Sequence, residues 1–268
     1  LHVRRAVAFA IDRDELLRAM SSDRKMRPWF GADQPVIATH IVPDSVEDDL
    51  LVDYDLYPAT QERARREMAL SRYDRNRDGA CDAPECRSVL GIARDDAFGS
   101  AAAEEVAASL DAIGIDLRVE VMSSDRFYGR LHDERAKVPL SMGLRYGWDY
   151  PNASTVFLPG FAASSIRGGI NASLVGAAPA QLRRWGYEVT EVPNVDDRIG
   201  RCMAVVGVDQ TECWADLDRF LMEDVVPWIP YAAGLQTYVV SGRVAAYSYS
   251  PSAFGLALDR MALAPGSE

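Results

Sequence analysis

Residues 72 to 87, RYDRNRDGACDAPECR, place oxygen-bearing side chains at regular spacing around one glycine. They match the calcium-loop template D-x-(D/N)-x-(D/N)-G-x5-E at every specified position, which are Asp74, Asn76, Asp78, Gly79 and Glu85. A hard cation such as Ca²⁺ takes about six to eight oxygen ligands. The loop would supply the side chains of Asp74, Asn76, Asp78, Asp82 and Glu85 and the backbone carbonyl of Ala80. We therefore expect a structural calcium ion in this loop, with a solvated acidic turn as the alternative.

The elements around the calcium loop predict a solitary site. Residues 60–72, TQERARREMALSR, have helical spacing and would lead into the loop. The following RSVLGIAR is typical of a strand, where a paired EF-hand would have its second helix. A solitary loop suits a structural role, and it has no catalytic group of its own.

The four cysteines form two local pairs, Cys81 with Cys86 and Cys202 with Cys213. Four cysteines allow three connectivities, and the spacing favours the local one. Bonding of Cys81 to Cys86 would close the calcium loop covalently. Clustered pairs indicate an oxidising compartment, with buried free thiols as the alternative.

Composition and motifs argue against several function classes. The net charge of −11 and the lack of a clustered basic surface exclude a nucleic-acid partner. There is no nucleophile elbow, Walker loop or dinucleotide fingerprint, and His2, His40 and His132 are far apart in sequence. No apolar run is long enough for a membrane span. The chain begins without Met or a signal peptide, so we expect it to be a portion of something longer.

The middle of the chain alternates strand and helix patterns. SVLGIAR and DLRVEVM are typical of strands, and SAAAEEVAASLDAIGI between them predicts a helix capped by Ser100. A helix from about Ser124 to Glu134 and a strand in VPLSMGLRYGW follow. This βαβαβ order predicts an α/β fold with a parallel or mixed sheet covered by helices.

The stretch LRYGWDYPNASTVFLPGF, residues 144–161, is the best candidate for ligand binding. The pattern predicts a strand that ends at Tyr146 and Gly147 and delivers Trp148 and Asp149 to a turn. Ligand clefts open at the carboxyl ends of strands in α/β sheets. The alternative is that Trp148 belongs to the core and that Asp149 caps the next helix.

Five segments in order resemble the extracellular solute-binding proteins of family 5, which serve peptide and nickel ABC importers. They are VRRAVAFAIDRDELLRAM, YPATQERARREMAL, AAEEVAASLDAIGIDLRVEVMSSDRFYGRL, RYGWDYPNASTVFL and WADLDRFLMEDVVPWIPYAAGLQTYVVSGRVAAYSYSP. The resemblance implies the C-terminal half of a two-lobed protein, with a periplasmic-binding-protein type II lobe of mixed sheet flanked by helices. Residues 1–230 would form the second lobe, with the calcium loop inserted at 74–85, and residues 231–268 would return to the first lobe.

The resemblance also implies the function. A member of this family would bind short peptides in the cleft between its lobes, without catalysis, and deliver them to a membrane permease. The RYGW motif would place Arg145, Tyr146 and Trp148 at the ligand, with Arg145 facing a peptide carboxylate. Asp149 would meet the peptide's ammonium group, although the spacing from Trp148 to Asp149 is two residues shorter than in the usual motif.

Other functions stay open at this point. The family also carries oligosaccharides and nickel complexes, and a secreted hydrolase or a calcium-dependent adhesion module would belong to other classes. GRCMAVVGVDQTECWADLD is similar to cysteine-containing lipoproteins of high-GC Gram-positive bacteria. That similarity implies an extracellular, membrane-anchored lipoprotein, and we expect a monomer.

Overall fold

The computed structural model describes residues 1–22, 36–144, 150–234, 240–250 and 255–265. The α-helices in these ranges are α1 (His2–Ala10), α2 (Arg13–Ser22), α3 (Gln61–Ala69), α4 (Ala97–Asp111), α5 (Ser124–Leu131), α6 (Ser154–Phe161), α7 (Pro179–Trp185), α8 (Asp196–Met203) and α9 (Val208–Phe220). The strands are β1 (Val89–Arg94), β2 (Leu117–Met122), β3 (Leu140–Met142), β4 (Val244–Ala246), β5 (Tyr249–Ser250), β6 (Gly255–Leu256) and β7 (Ala262–Leu263). Within these ranges, no helix combines the length and the apolarity that a bilayer crossing demands.

Strands β1, β2 and β3 form one parallel sheet in the order β2-β1-β3. Val89 pairs with Leu117 on one side of β1, and Gly91 pairs with Leu140 on the other. Helix α4 connects β1 to β2 and α5 connects β2 to β3, because parallel strands need a crossover. The predicted α/β fold class and βαβαβ order are confirmed. The later strands form short antiparallel pairs, β4 with β7 and β5 with β6.

The two faces of the sheet pack against different helices. Ala93 of β1 belongs to the main core, which includes α1 to α4 and contains Met68 and Leu110. The neighbouring residue Ile92 points the other way, because side chains alternate along a strand. It packs against Phe127 of α5 in a smaller cluster. Both faces are therefore covered, as a parallel sheet requires.

A second core joins α6, α8 and α9. Phe157 of α6 stacks on Trp214 of α9 with ring centroids 5.5 Å apart, and Phe161 lies 4.7 Å from the ring of Trp228. Val42, from the long connection between α2 and α3, is fully buried in the same cluster. Aromatic pairs of this kind contribute about 0.5–1.5 kcal/mol beyond the area that they bury. The connection is thus anchored to the helices of the chain's second half.

The helices lie where the sequence patterns predict them, but the start of α4 and the end of α5 differ from the prediction. Asp12 caps α2 as such residues do, by accepting the Glu15 N–H at 3.0 Å. The cap predicted at Ser100 is wrong, because Asp96 accepts the Gly99 N–H at 2.9 Å and α4 begins before Ser100. Helix α5 ends at Leu131, three residues before the predicted end.

Candidate functional site

The carboxyl end of the parallel sheet brings together the end of β1, the start of α4 and the end of β3. Arg94 is the last residue of β1 and is almost fully buried. Its guanidinium pairs with the carboxylate of Asp96, and its Nη1 donates to the Tyr128 hydroxyl at 3.3 Å. Gly99 has no room for a side chain, since an added Cβ would lie 2.3 Å from the Arg94 carbonyl oxygen. The sheet end is therefore closely packed around one buried cation.

The predicted ligand residues follow β3 at this end of the sheet. Strand β3 ends at Met142, earlier than the predicted end at Tyr146 and Gly147. The four residues expected to contact ligand, Arg145, Tyr146, Trp148 and Asp149, lie outside the described residues. Beyond them, half-exposed Tyr150 shares a hydrogen bond with Ser154 at the start of α6. The candidate segment thus connects the carboxyl end of β3 to α6.

The predicted calcium loop lies between α3 and β1, and its backbone is held by its own side chains. Asp74 is buried, and its two carboxylate oxygens accept the N–H groups of Arg77 at 2.7 Å and Gly79 at 2.8 Å. Gly79 has φ +88°, and a Cβ there would lie 2.6 Å from the Cβ of Arg65. The sharp turn that the template assigns to this glycine is therefore present, and no other residue fits it.

The other predicted calcium ligands of the loop also accept hydrogen bonds from its backbone. Asn76 accepts the Asp78 N–H at 3.0 Å, and Asp78 accepts the Ala80 N–H at 2.9 Å. Asp82 accepts the Arg75 N–H at 3.0 Å, at the far end of the loop. A carboxylate oxygen that accepts one hydrogen bond keeps a second lone pair, so these groups are still able to coordinate a cation.

The loop's ligands do not converge as tightly as those of a closed metal centre. Glu85 is exposed in the short 3₁₀ turn Pro84–Cys86. Among the described residues, one group of His, Cys, Asp and Glu side chains brings three ligand atoms within 4.8 Å of one another, and it lies elsewhere. The donor chemistry fits calcium, and occupancy of the loop stays a prediction.

Both predicted disulfides are present. Cys81, inside the calcium loop, is bonded to Cys86 directly after it, and Cys202 of α8 is bonded to Cys213 of α9. No cysteine is free. The local connectivity favoured by the spacing is therefore confirmed.

A buried polar cluster, which sequence patterns did not indicate, lies where the connection between α2 and α3 meets α9. We call His40, Asp44, Glu47 and Asp218 the histidine cluster. His40 Nδ1 lies 3.4 Å from Asp218 Oδ2 and 3.9 Å from Glu47 Oε2, and its Nε2 lies 2.9 Å from Asp44 Oδ1. Asp218 also accepts the N–H groups of Ile41 at 3.1 Å and Val42 at 2.9 Å.

Burial changes the titration of the histidine cluster. Burial first, and then the negative charges of Asp218 and Asp44, raises the pKa of Glu47 to about 9. For His40, burial lowers the pKa, but hydrogen bonds and charge from Asp218 and Asp44 outweigh it and the pKa is raised overall. The cluster therefore combines a histidine that favours its charged form with a carboxyl group, Glu47, that favours its neutral form. The sequence places Asp218 178 residues from His40, so spacing alone carries no signal of their contact.

Comparison with known proteins identifies the family of the chain. Residues 1–167 match the family model described as bacterial extracellular solute-binding proteins, family 5 Middle. No curated protein matches the chain.

Three solved structures illustrate the similarity of fold. Clavulanic acid biosynthesis oligopeptide binding protein 2 is 20% identical with a TM-score of 0.68, over 98% of this chain and 43% of its own. The dipeptide binding protein of Pseudoalteromonas sp. SM9913, in complex with Met-Leu, is 15% identical with a TM-score of 0.65, over 98% and 45%. NikZ of Campylobacter jejuni, in complex with Ni(L-His), is 16% identical with a TM-score of 0.59, over 87% and 41%.

The chain spans less than half the length of each of these three proteins. At such identities the likeness shows the shared fold, an α/β arrangement with a parallel sheet between helices. The family model, in contrast, rests on sequence and covers more than half of the 268 residues. The chain therefore belongs to the bacterial extracellular solute-binding proteins of family 5.

Proposed function

We propose that the chain is part of the substrate-binding component of an ABC importer that takes up short peptides. The observation that carries this proposal is the match of residues 1–167 to the family model, which includes the predicted ligand segment, residues 145–149. In sequence this segment begins three residues after Met142, the last residue of β3. Polar ligands of α/β sheets bind at that end of the strands. The dipeptide held by the Pseudoalteromonas protein supports peptides as the solute class.

The ligand would be held mainly by its charged ends. Asp149 would pair with the peptide's ammonium group, and the planar guanidinium of Arg145 would pair with its carboxylate. Two lobes would close on the bound peptide by a hinge motion and present it to the membrane permease. An extracellular lipoprotein anchor would keep the protein near that permease, and the two disulfides are consistent with an oxidising location.

The calcium loop would have a structural role in this protein. Calcium bound by Asp74, Asn76, Asp78, Ala80, Asp82 and Glu85 would stiffen the connection between α3 and β1. Solitary calcium sites of extracellular modules bind with dissociation constants of about 10⁻⁴ to 10⁻³ M, which extracellular calcium satisfies. The loop would make no contact with the ligand.

A nickel complex is the second candidate ligand, because NikZ has the same fold and was solved with Ni(L-His). The deciding experiment is a thermal-shift screen of the intact protein against dipeptides to pentapeptides, oligosaccharides and nickel–histidine complexes. A true ligand raises the melting temperature, since it binds only the folded state. We expect a peptide to raise the melting temperature. A rise with the nickel complex and with no peptide would show that the ligand is a nickel complex.

Modified peptides and variants test the assigned contacts. N-acetylation of a binding peptide, or the Asp149→Asn substitution, should each weaken binding, and the two losses should not add because they remove the same ion pair. Asp125→Asn, on the exposed surface of α5, is the matched control. Equal binding by the acetylated peptide would show that Asp149 does not hold the ammonium group.

A further inference from the structure

The histidine cluster presents three metal-ligand atoms in a buried site. The side chains of His40, Glu47 and Asp218 are almost completely shielded from solvent, and one ligand atom of each lies within 4.8 Å of the other two. His40 Nδ1 is the centre of the group, 3.4 Å from Asp218 Oδ2 and 3.9 Å from Glu47 Oε2.

Glu47 makes this cluster more than a hydrogen-bonded network. Its exposed fraction is 0%, and among the described residues neither of its carboxylate oxygens has a hydrogen-bond partner. Arg219, whose charge reaches Glu47, directs its guanidinium to Asp216 and to the Leu50 carbonyl instead. Burial of a carboxylate without a partner is costly unless a cation or a proton compensates it. The Glu47 carboxylate nevertheless points towards His40 Nδ1, and a cation between them would contact both groups.

The distances agree with the coordination shell of a small divalent metal. Bonds of about 2.0–2.2 Å at tetrahedral angles separate neighbouring ligand atoms by about 3.3–3.6 Å. The 3.4 Å separation of His40 Nδ1 and Asp218 Oδ2 lies in that interval, and the 3.9 Å separation from Glu47 needs only a small movement. The second oxygen of Glu47 is available as a further donor.

The surroundings of His40 match those of metal-bound histidines. A ligating imidazole donates its other ring N–H to a carboxylate or carbonyl, which fixes the tautomer and the ring orientation. In the histidine cluster the Nε2 of His40 lies 2.9 Å from Asp44 Oδ1, so Nδ1 is left to bind the metal. Asp218 is likewise oriented by the N–H groups of Ile41 and Val42.

We propose that His40, Glu47 and Asp218 bind a divalent transition-metal ion of the zinc class, with Asp44 as the carboxylate that orients His40. Imidazole and carboxylate donors together suit zinc and its neighbours, whereas calcium takes about six to eight oxygen ligands. This site shares no residue with the calcium loop or with the predicted peptide contacts. The metal would fasten the connection between α2 and α3 to α9, a structural link across distant parts of the chain.

Zinc titration of the intact protein, freed of metal with a chelator, tests the proposal. We expect one zinc ion per chain and a melting temperature raised by roughly 5–10 °C in saturating zinc. Glu47→Gln should abolish both effects while the variant stays folded, because glutamine has nearly the same shape. Asp44→Ala, at a half-exposed position, should weaken zinc binding about 10- to 100-fold.

Two controls distinguish the proposed zinc site from the calcium loop as the place where zinc binds. Asp74→Asn combined with Glu85→Gln, in the calcium loop, should leave zinc binding unchanged. Cobalt substitution of the unmutated protein gives a second readout, in which X-ray absorption should show one imidazole nitrogen among oxygen donors. The proposal is overturned if the metal-free protein binds no zinc, or if Glu47→Gln and Asp44→Ala bind it as tightly as the unmutated protein. In that case the cluster holds a proton on Glu47 instead.

Discussion

Gly143 and Gly99 are in direct backbone contact, so that a Cβ added to Gly143 would lie 3.0 Å from the Cα of Gly99. Gly143 follows β3 and Gly99 lies in the first turn of α4, and the contact therefore packs the sheet end against the helix. Gly143 also has φ +85°, a conformation that residues with a side chain rarely adopt. The segment predicted to bind ligand begins two residues later.

We predict that Gly143→Ala lowers the free energy of unfolding by about 1–3 kcal/mol, because alanine is strained at this φ and has no space beside Gly99. It should also weaken peptide binding, since the strand end would shift. The matched control is Gly129→Ala in α5, where an added Cβ meets nothing within 4 Å. That change should raise the free energy of unfolding by about 0.5–1 kcal/mol. Urea unfolding of both variants measures these effects, and equal stabilities would contradict the packing described.

We predict that Asp74→Asn combined with Glu85→Gln removes the calcium-dependent stabilisation of the intact protein. Both changes weaken ligands of the proposed site. Asparagine at position 74 keeps one acceptor oxygen for the Gly79 N–H and loses the one that accepts the Arg77 N–H, so the calcium-dependent part of the stability is compared within each variant. Thermal unfolding in calcium and in chelator gives the measurement, and the unmutated protein should gain roughly 5 °C in saturating calcium.

The control for the calcium prediction is Glu104→Gln combined with Glu188→Gln. Both glutamates are exposed, and the pair removes the same negative charge without touching the loop. Peptide affinity should be the same for both variants as for the unmutated protein, when each variant is measured in conditions where that variant is fully folded. A large loss of peptide affinity in the loop variant would show that the calcium loop is part of the ligand site.

Local patterns account for the elements that the sequence predicted correctly. The order of strands and helices from Val89 to Met142 and the turn at Gly79 each depend on a few neighbouring residues. The same holds for the disulfides, because a short chain between two cysteines keeps them close. Ser100 is a plausible cap by residue type, because serine is common at that position, but Asp96 caps α4 and the helix begins earlier.

Contacts between distant segments could not be predicted in the same way. The histidine cluster depends on a connection at 36–57 that folds back on α9, and nothing local to His40 indicates that Asp218 is its neighbour. In sequence, His40 is an isolated histidine in a loop. Its burial, and the missing partner of Glu47, become evident only when the second core is assembled.

Tyr57 provides a prediction about the main core. Its hydroxyl is buried and donates to the Met222 carbonyl at 2.7 Å, and its ring makes an edge contact with Phe9 at 4.9 Å. Tyr57→Phe keeps the ring but leaves that carbonyl without the hydroxyl. We predict a loss of about 1–2 kcal/mol in the free energy of unfolding at pH 8, measured with urea.

The pH dependence of the Tyr57 effect has a definite sign. Burial raises the pKa of Tyr57 to about 12, above the ordinary value of about 10. The folded state therefore holds the hydroxyl proton more tightly than the unfolded state does. The contribution of the hydroxyl to the free energy of unfolding is fully present below about pH 10 and is lost as the pH rises from there through about 12. The difference between Tyr57→Phe and the unmutated protein should shrink between pH 8 and pH 11. A constant difference would mean that the hydroxyl titrates normally.

The disulfide between Cys202 and Cys213 yields the final prediction, because it links α8 and α9 across 11 residues. In the chain-entropy model, loss of a bond that closes a loop of this length costs about 3 kcal/mol, since the unfolded chain gains freedom. We expect the Cys202→Ser, Cys213→Ser double variant to lose about that much in guanidinium unfolding.

The bond between Cys81 and Cys86 should behave differently, although its removal also loosens the unfolded chain. The bond joins residues five apart in sequence and encloses the predicted ligands Asp82 and Glu85, so its loss should reduce the calcium-induced rise in melting temperature as well as the stability in chelator. The Cys202→Ser, Cys213→Ser variant should keep the whole calcium-induced rise, because α8 and α9 belong to the second core. Equal calcium responses from the two double variants would show that the bond from Cys81 to Cys86 does not preorganise the calcium loop.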